Sequence, residues 1–156
     1  MDDHREISLD AETSPAFGYA IRCLAGKRHW EGVASSFWGL YRRAFSIISN
    51  GRVQASKLLF DEKIEFADGE VQDRSWQLID SARGVLLQTD NAKLKKPGAL
   101  ENGVFEIVYD LKIAGVWVAY VDQFKIDDQG NVENWGFMKL FGITIMAIKV
   151  YSPVTG

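Results

Sequence analysis

FADGEVQDRSW, residues 66 to 76, decides how the chain is read. Asp68-Gly69 lies between two runs in which apolar residues alternate, and Gly supplies the positive φ that a tight hairpin turn requires. The stretch therefore closes one antiparallel strand, turns, and opens the next. Arg74 and Trp76 stand two residues apart in the second strand, so they share a face.

The period of two continues in both directions. His29 to Gly39 carries Trp30, Gly32 and Ala34 in one phase, and Leu40 to Ser49 carries Tyr41, Arg43, Phe45 and Ile47 in one phase. Asn50-Gly51 reads as the next turn. Residues 53 to 67 form a long strand in which Glu62 falls among Leu58, Phe60, Ile64 and Phe66. Further strands are expected at 70–80, 85–92, 104–113, 116–127, 131–141 and 143–151, with turns at Arg83-Gly84, Ala114-Gly115 and Gly142. NAKLKKPGALENG, residues 91 to 103, holds three lysines, a Pro-Gly pair and an Asn-Gly pair, and reads as a loop, either a lid or a solvated connection.

Thr13 or Ser14 can cap a helix over 15–25 with Pro15 in its first turn, Phe17, Ile21 and Leu24 on one face, and Gly26 as its stop. Its apolar face is expected to cover one barrel end or to pack outside the wall. Residues 1–12 read as a flexible leader and 13–156 as one domain. Such a pattern predicts an all-β, antiparallel, up-and-down barrel of about 8–9 strands with one short N-terminal helix; closure also removes exposed strand edges.

The 156-residue chain is 47% hydrophobic, 12% aromatic and 25% charged, enough apolar content for one substantial core. A net charge of -3 gives no broad attraction for nucleic acid or an anionic membrane. One cysteine excludes an internal disulfide, and with only His4 and His29 beside it neither a structural metal nor a cofactor is expected. His29 as a haem ligand is weighed against a surface histidine, and Asp127-Asp128 reads as a turn, not a calcium loop. The start is acidic and polar, without a secretory leader, and no apolar run approaches the ~20 residues of a spanning helix. A soluble, cytoplasmic protein is expected.

The informative anomaly is polarity in phase with apolar residues. Arg43 shares a face with Tyr41 and Phe45, Arg74 with Trp76 and Leu78, Asp122 with Tyr120 and Phe124, and Asn134 with Met138. With Glu62, five polar groups are expected to point inward, where an unpaired charge costs several kcal/mol. Two readings stay open. Either an arginine forms an internal ion pair with Asp122 or Glu62 that fixes the barrel, or one or both arginines hold a ligand's carboxylate or phosphate in a cavity lined by Phe60, Trp76, Tyr120 and Met138. Trp135, Phe137 and Phe141 fall in the opposite phase and leave a stripe for the helix or a second subunit to cover.

From Gly26 to Tyr151 the chain resembles the bacterial lipocalin-like family DUF3833. The resemblance rests on Arg43 and Phe45, the FADGEVQDRSW block, Asn102-Gly103 leading to Tyr109-Asp110-Leu111, Asp122, and the Asn134, Met138, Phe141-Gly142 series. It implies a calycin-type barrel without an assigned role, and it groups Arg43, Arg74, Asp122 and Asn134. Members often look like membrane-anchored lipoproteins; Arg22 directly before Cys23 departs from that pattern, so lipidation is not carried over. Trp135 also departs, standing where a basic residue is expected after the asparagine.

No phosphate-binding glycine loop, G-x-S-x-G elbow or HExxH is present. The leading expectation is a non-enzymatic barrel for a small apolar or amphipathic ligand with an anionic head. The site residues would be Arg43, Phe60, Glu62, Arg74, Trp76, Tyr120, Asp122, Asn134 and Met138. The alternatives are an isomerase- or hydrolase-type enzyme using Asp122 or Glu62 as base, and a homodimeric interaction module.

Overall fold

Ten antiparallel strands close on themselves in the computed structural model, which describes residues 13–36 and 38–154. The leader assigned to residues 1–12 lies outside the described residues. Helix α1 (Pro15–Leu24) is followed by β1 (Gly26–Ser36), β2 (Arg42–Gln54), β3 (Lys57–Phe66), β4 (Val71–Ser81) and β5 (Gly84–Gln88). Then come β6 (Ala92–Glu101), β7 (Val104–Ile113), β8 (Val116–Ile126), β9 (Val132–Leu140) and β10 (Ile143–Ser152). Each strand pairs with its neighbour in sequence, and β1 also pairs with β10, Gly32 opposite Val150 and Ala34 opposite Ile148. The expected up-and-down barrel is therefore the observed one, with ten strands where about nine were expected.

The extra strand comes from residues 91–103, which are not a loop. Ala92–Glu101 pairs with β7 through two register shifts, and its register with β5 is Val85 opposite Gly98. Shifts and sparse pairing are where a strand can accept Pro97, which has no N–H to donate. Composition alone suggested a loop; tertiary pairing overrode it.

Asn50-Gly51 is likewise not a turn. β2 runs through it, with Gly51 opposite Gly26 on one side and Phe60 on the other. The turn comes later, at Ala55, which takes φ 54°. Gly51 serves a close approach instead: a Cβ there would lie 2.1 Å from the carbonyl oxygen of Leu24.

That contact seats the helix. Ser14 is the N-cap; its Oγ accepts from the Phe17 N–H at 3.2 Å and donates to Asp80 at 2.6 Å, anchoring the helix to the end of β4. Phe17, Ala20, Ile21, Cys23 and Leu24 are buried, and Tyr19 donates to Gly103 O and accepts from Ile126 N. The helix thus plugs the end of the barrel where β2, β4, β6 and β8 finish. It does not cover the aromatic stripe: Trp135 lies under the Lys149 ammonium, 4.6 Å from the ring centre, and Phe141 stands in an exposed turn.

The opposite end is the mouth, formed by the β1–β2, β3–β4, β5–β6, β7–β8 and β9–β10 connections. Among the described residues no helix is long and apolar enough to cross a membrane.

Because Gly51 meets backbone on its open side, Gly51→Ala is expected to push the helix off the barrel end and destabilise the fold by about 1–3 kcal/mol, read by urea unfolding. An unchanged midpoint would show that the plug adapts.

Candidate functional site

Apolar inner-face residues from most strands surround a cavity of about 340 Å³ that runs from Leu24 of the plug to Tyr41 and Ile113 at the mouth. Strand alternation decides which side chains reach it. Arg43, Phe60, Glu62, Arg74, Trp76, Tyr120, Asp122, Asn134 and Met138, the residues singled out in the sequence, all line it. Register then brings them together: Phe60 faces Trp76, Glu62 faces Arg74, and Tyr120 faces Met138 across adjacent strands.

The two arginines have different surroundings. Arg43 is clamped at the mouth by the DGE turn, with Nε and Nη2 each 3.0 Å from an oxygen of Asp68 and Nη2 also on Glu70. Its guanidinium lies 3.5 Å from the centre of the Phe66 ring. Arg43, followed by Gln72, holds the Glu70 carboxyl below the usual carboxylate range. Arg74 donates to Gln72 Oε1 at 2.9 Å and has no carboxylate within 4.0 Å among the described residues. The internal ion pair of either arginine with Glu62 or Asp122 is thus not formed.

The hydrogen bonds to those two carboxyls come from neutral donors. Glu62 accepts from the Trp76 indole N–H at 3.0 Å. Asp122 accepts from Tyr109 Oη at 3.2 Å and from Asn134 Nδ2, which also donates to Gln123 O at 3.0 Å. Both are half-buried, and both line the cavity, so the area they leave open faces the lumen. Burial pushes Asp122 up to about 7, with the bond from Asn134 opposing and the Glu62 charge adding. Burial also raises Glu62 against the Trp76 bond and the Arg74 charge.

Two participants were not singled out as site residues in the sequence. Tyr109 bonds Asp122, stacks on Tyr120 at 5.3 Å between ring centres, and meets Trp76 at 5.9 Å. Its phase with Phe105, Ile107 and Leu111 was the available signal. Gly136 lies opposite Asp122, and a Cβ there would stand 1.9 Å from the Tyr120 hydroxyl; a glycine inside a strand is the sequence mark of such an approach.

A family model described as "Protein of unknown function (DUF3833)" matches residues 3–152. The chain belongs to the DUF3833 family. A comparison with curated proteins found no match. For this DUF3833 member the DGE turn and Arg43 are one mouth clamp, Arg74 lines the cavity while staying exposed to solvent, and Asp122 and Asn134 are half-buried on the wall.

Residues outside the lumen fit plainer roles. His29 is exposed on the outer wall, 2.7 Å from Glu31. Cys23 is buried in the plug, which pushes its thiol up to about 12 and keeps it protonated. Asp127 caps the β8–β9 turn by accepting from Gln129 N and Asn131 N, each at 2.9 Å.

Since the folded state raises Asp122 above its unfolded value, folding takes up a proton between the two. Stability from this group is therefore full below about pH 4 and falls as pH rises through about 7. Urea unfolding of the wild type is expected to show that fall, and Asp122→Asn to flatten it; equal slopes would assign the pH dependence elsewhere.

Proposed function

We propose that this protein is a non-enzymatic, lipocalin-like carrier of an amphipathic small molecule with an anionic head. The observation that carries this reading is a guanidinium, that of Arg74, on the solvent-open part of the wall of a mainly apolar cavity and without a carboxylate partner among the described residues. Planar and permanently charged, it can give two parallel hydrogen bonds to a carboxylate or phosphate. Arg43 is the weaker candidate for the head, because Asp68 and Glu70 already occupy its donors.

The rest of the lumen suits such a ligand. Protonated Asp122 and the Tyr120 hydroxyl can each donate to a head-group oxygen, with Asn134 and Tyr109 orienting Asp122. Phe60, Trp76 and Met138 line the apolar space for the tail. A volume of about 340 Å³ lies at the small end of ordinary ligand sites.

One observation favours a second reading. Asp122 faces the lumen, is held near pH 7 by burial, and is not neutralised by an arginine among the described residues, which are the requirements of a general acid or base in an apolar pocket. Under that reading Asp122→Asn abolishes turnover while leaving uptake of a neutral ligand intact.

A fluorescent polyene carboxylic acid and its methyl ester test the carrier reading directly. The acid is expected to bind more tightly than the ester, and Arg74→Gln to remove about tenfold to a hundredfold of the acid's affinity while sparing the ester. Equal binding of acid and ester by the wild type, or no uptake of either, would overturn it.

A further inference from the structure

The mouth is chemically lopsided. β8 neighbours β9 and β10 neighbours β1, so the β7–β8, β9–β10 and β1–β2 connections are consecutive around the rim. At or beside them large apolar side chains reach into solvent: Val116 and Trp117 just after the first, Phe141 on the second with Ile143 just after it, Trp38 and Leu40 on the third. Leu40 is 86% exposed, Phe141 94% and Ile143 66%. Single exposed apolar residues are ordinary on a protein surface; consecutive loop tips of this kind form a patch that water disfavours.

Backbone conformation sharpens the point. Phe141 has φ 50° and Gly142 φ 76°, a left-handed pair that Asn-Gly would fill at less cost than Phe-Gly. A bulky ring is therefore kept at a strained position where it touches mostly solvent. The same left-handed turn recurs at Ala55, Asn102 and Ala114, so the turn belongs to the hairpins; what sets Phe141 apart is the bulky, solvent-facing ring it carries there.

Charge decides what the patch meets. Residues 36–44, 111–118 and 138–146, which contain these three connections, hold Arg42, Arg43, Lys112 and Lys139 and no Asp or Glu. The acids of the rim, Asp68, Glu70 and Asp90, sit on the other two connections, and two of them are engaged with Arg43. Lys93 and Lys112 flank the Trp117 ring, their ammonium nitrogens 4.4 and 5.8 Å from its centre. An indole beside lysine ammoniums suits the boundary between acyl chains and phosphate headgroups, where the ring is half in hydrocarbon and the cations reach the anions. A net charge of -3 gives no general attraction to such a surface, but this arc has its own positive face.

We propose that this apolar, basic arc docks on the surface of a bilayer containing anionic lipids, placing the mouth of the barrel at the headgroup layer. The three loop tips enter the interface, Arg42, Lys112 and Lys139 meet the phosphates, and the acidic side of the rim stays in water. The barrel therefore tilts on the membrane, and its cavity opens toward the lipid. This goes beyond the carrier reading and does not depend on it: liposome binding and probe uptake are separate measurements, so either can fail alone.

Flotation with liposomes of phosphatidylcholine and phosphatidylglycerol, about 3:1, against pure phosphatidylcholine, tests the docking. The full chain is expected to float with the anionic liposomes, to be released by about 0.5 M salt, and to bind the neutral ones at least about fivefold more weakly. Phe141→Asn suits the left-handed turn, so with Leu40→Ser it should lower binding at least about tenfold without lowering the thermal midpoint. Lys112→Glu with Lys139→Glu should abolish the preference for anionic lipid. Absence of flotation, or equal flotation of Leu40→Ser/Phe141→Asn and wild type, overturns the proposal. So does a dimer in sedimentation that the same substitutions dissolve while no liposome binding is found, since the arc would then meet a second copy of this chain.

Discussion

Closure of the sheet, with β1 hydrogen-bonded to β2 on one side and β10 on the other, is the constraint on which the rest depends. Once the ring closes, alternation along each strand becomes a division between lumen and outside. A residue's parity then settles whether it meets the cavity. Closure also leaves one end to be stopped by something else, and the ten-residue helix does so. The seat is specific, because Gly51 lets the Leu24 carbonyl approach β2 and Asp80 holds the N-cap from β4.

Within this lumen the protein handles charge in two ways. At the mouth, Arg43 is neutralised by Asp68 and Glu70 and covered on one face by Phe66, so the clamp ties β2 to the β3–β4 turn. Deeper, Glu62 and Asp122 are bonded by Trp76, Tyr109 and Asn134, neutral donors that satisfy oxygens without supplying opposite charge. Burial then acts on the carboxyls through protonation, which removes the charge that a low-dielectric interior disfavours. The consequence is a polar patch whose charge can change near neutral pH, beside a guanidinium whose charge cannot.

Cavity and mouth form one axis. Leu24 closes the inner end, the polar groups sit along the wall, and the apolar loop tips project past the opening. The proposed ligand and the proposed bilayer call on different residues of that axis. Lumen chemistry is set by inward positions such as Arg74 and Asp122, rim chemistry by turn positions such as Leu40 and Phe141.

Period-two patterning was enough to read the barrel and the inward phase of all nine proposed site residues, because alternation is a local property of the strand, and Pro15 with the Phe17, Ile21, Leu24 face was enough for the helix, whose cap was narrowed to Thr13 or Ser14. Glycine-containing pairs were less faithful guides. Asn50-Gly51 and Pro97-Gly98 look like turns, yet both lie inside strands, the first because a helix carbonyl needs the space and the second because the Phe105 ring takes the space a Cβ at Gly98 would fill. Partnership was also beyond local reading. That Arg43 belongs to the DGE turn, that Asp122 rests on Tyr109 and Asn134, and that three apolar turns share one arc of the mouth all depend on closure. Sequence determined which face each residue takes, since parity needs only the strand itself; tertiary structure decided who meets whom, since that needs the register and circular order of strands far apart in the chain.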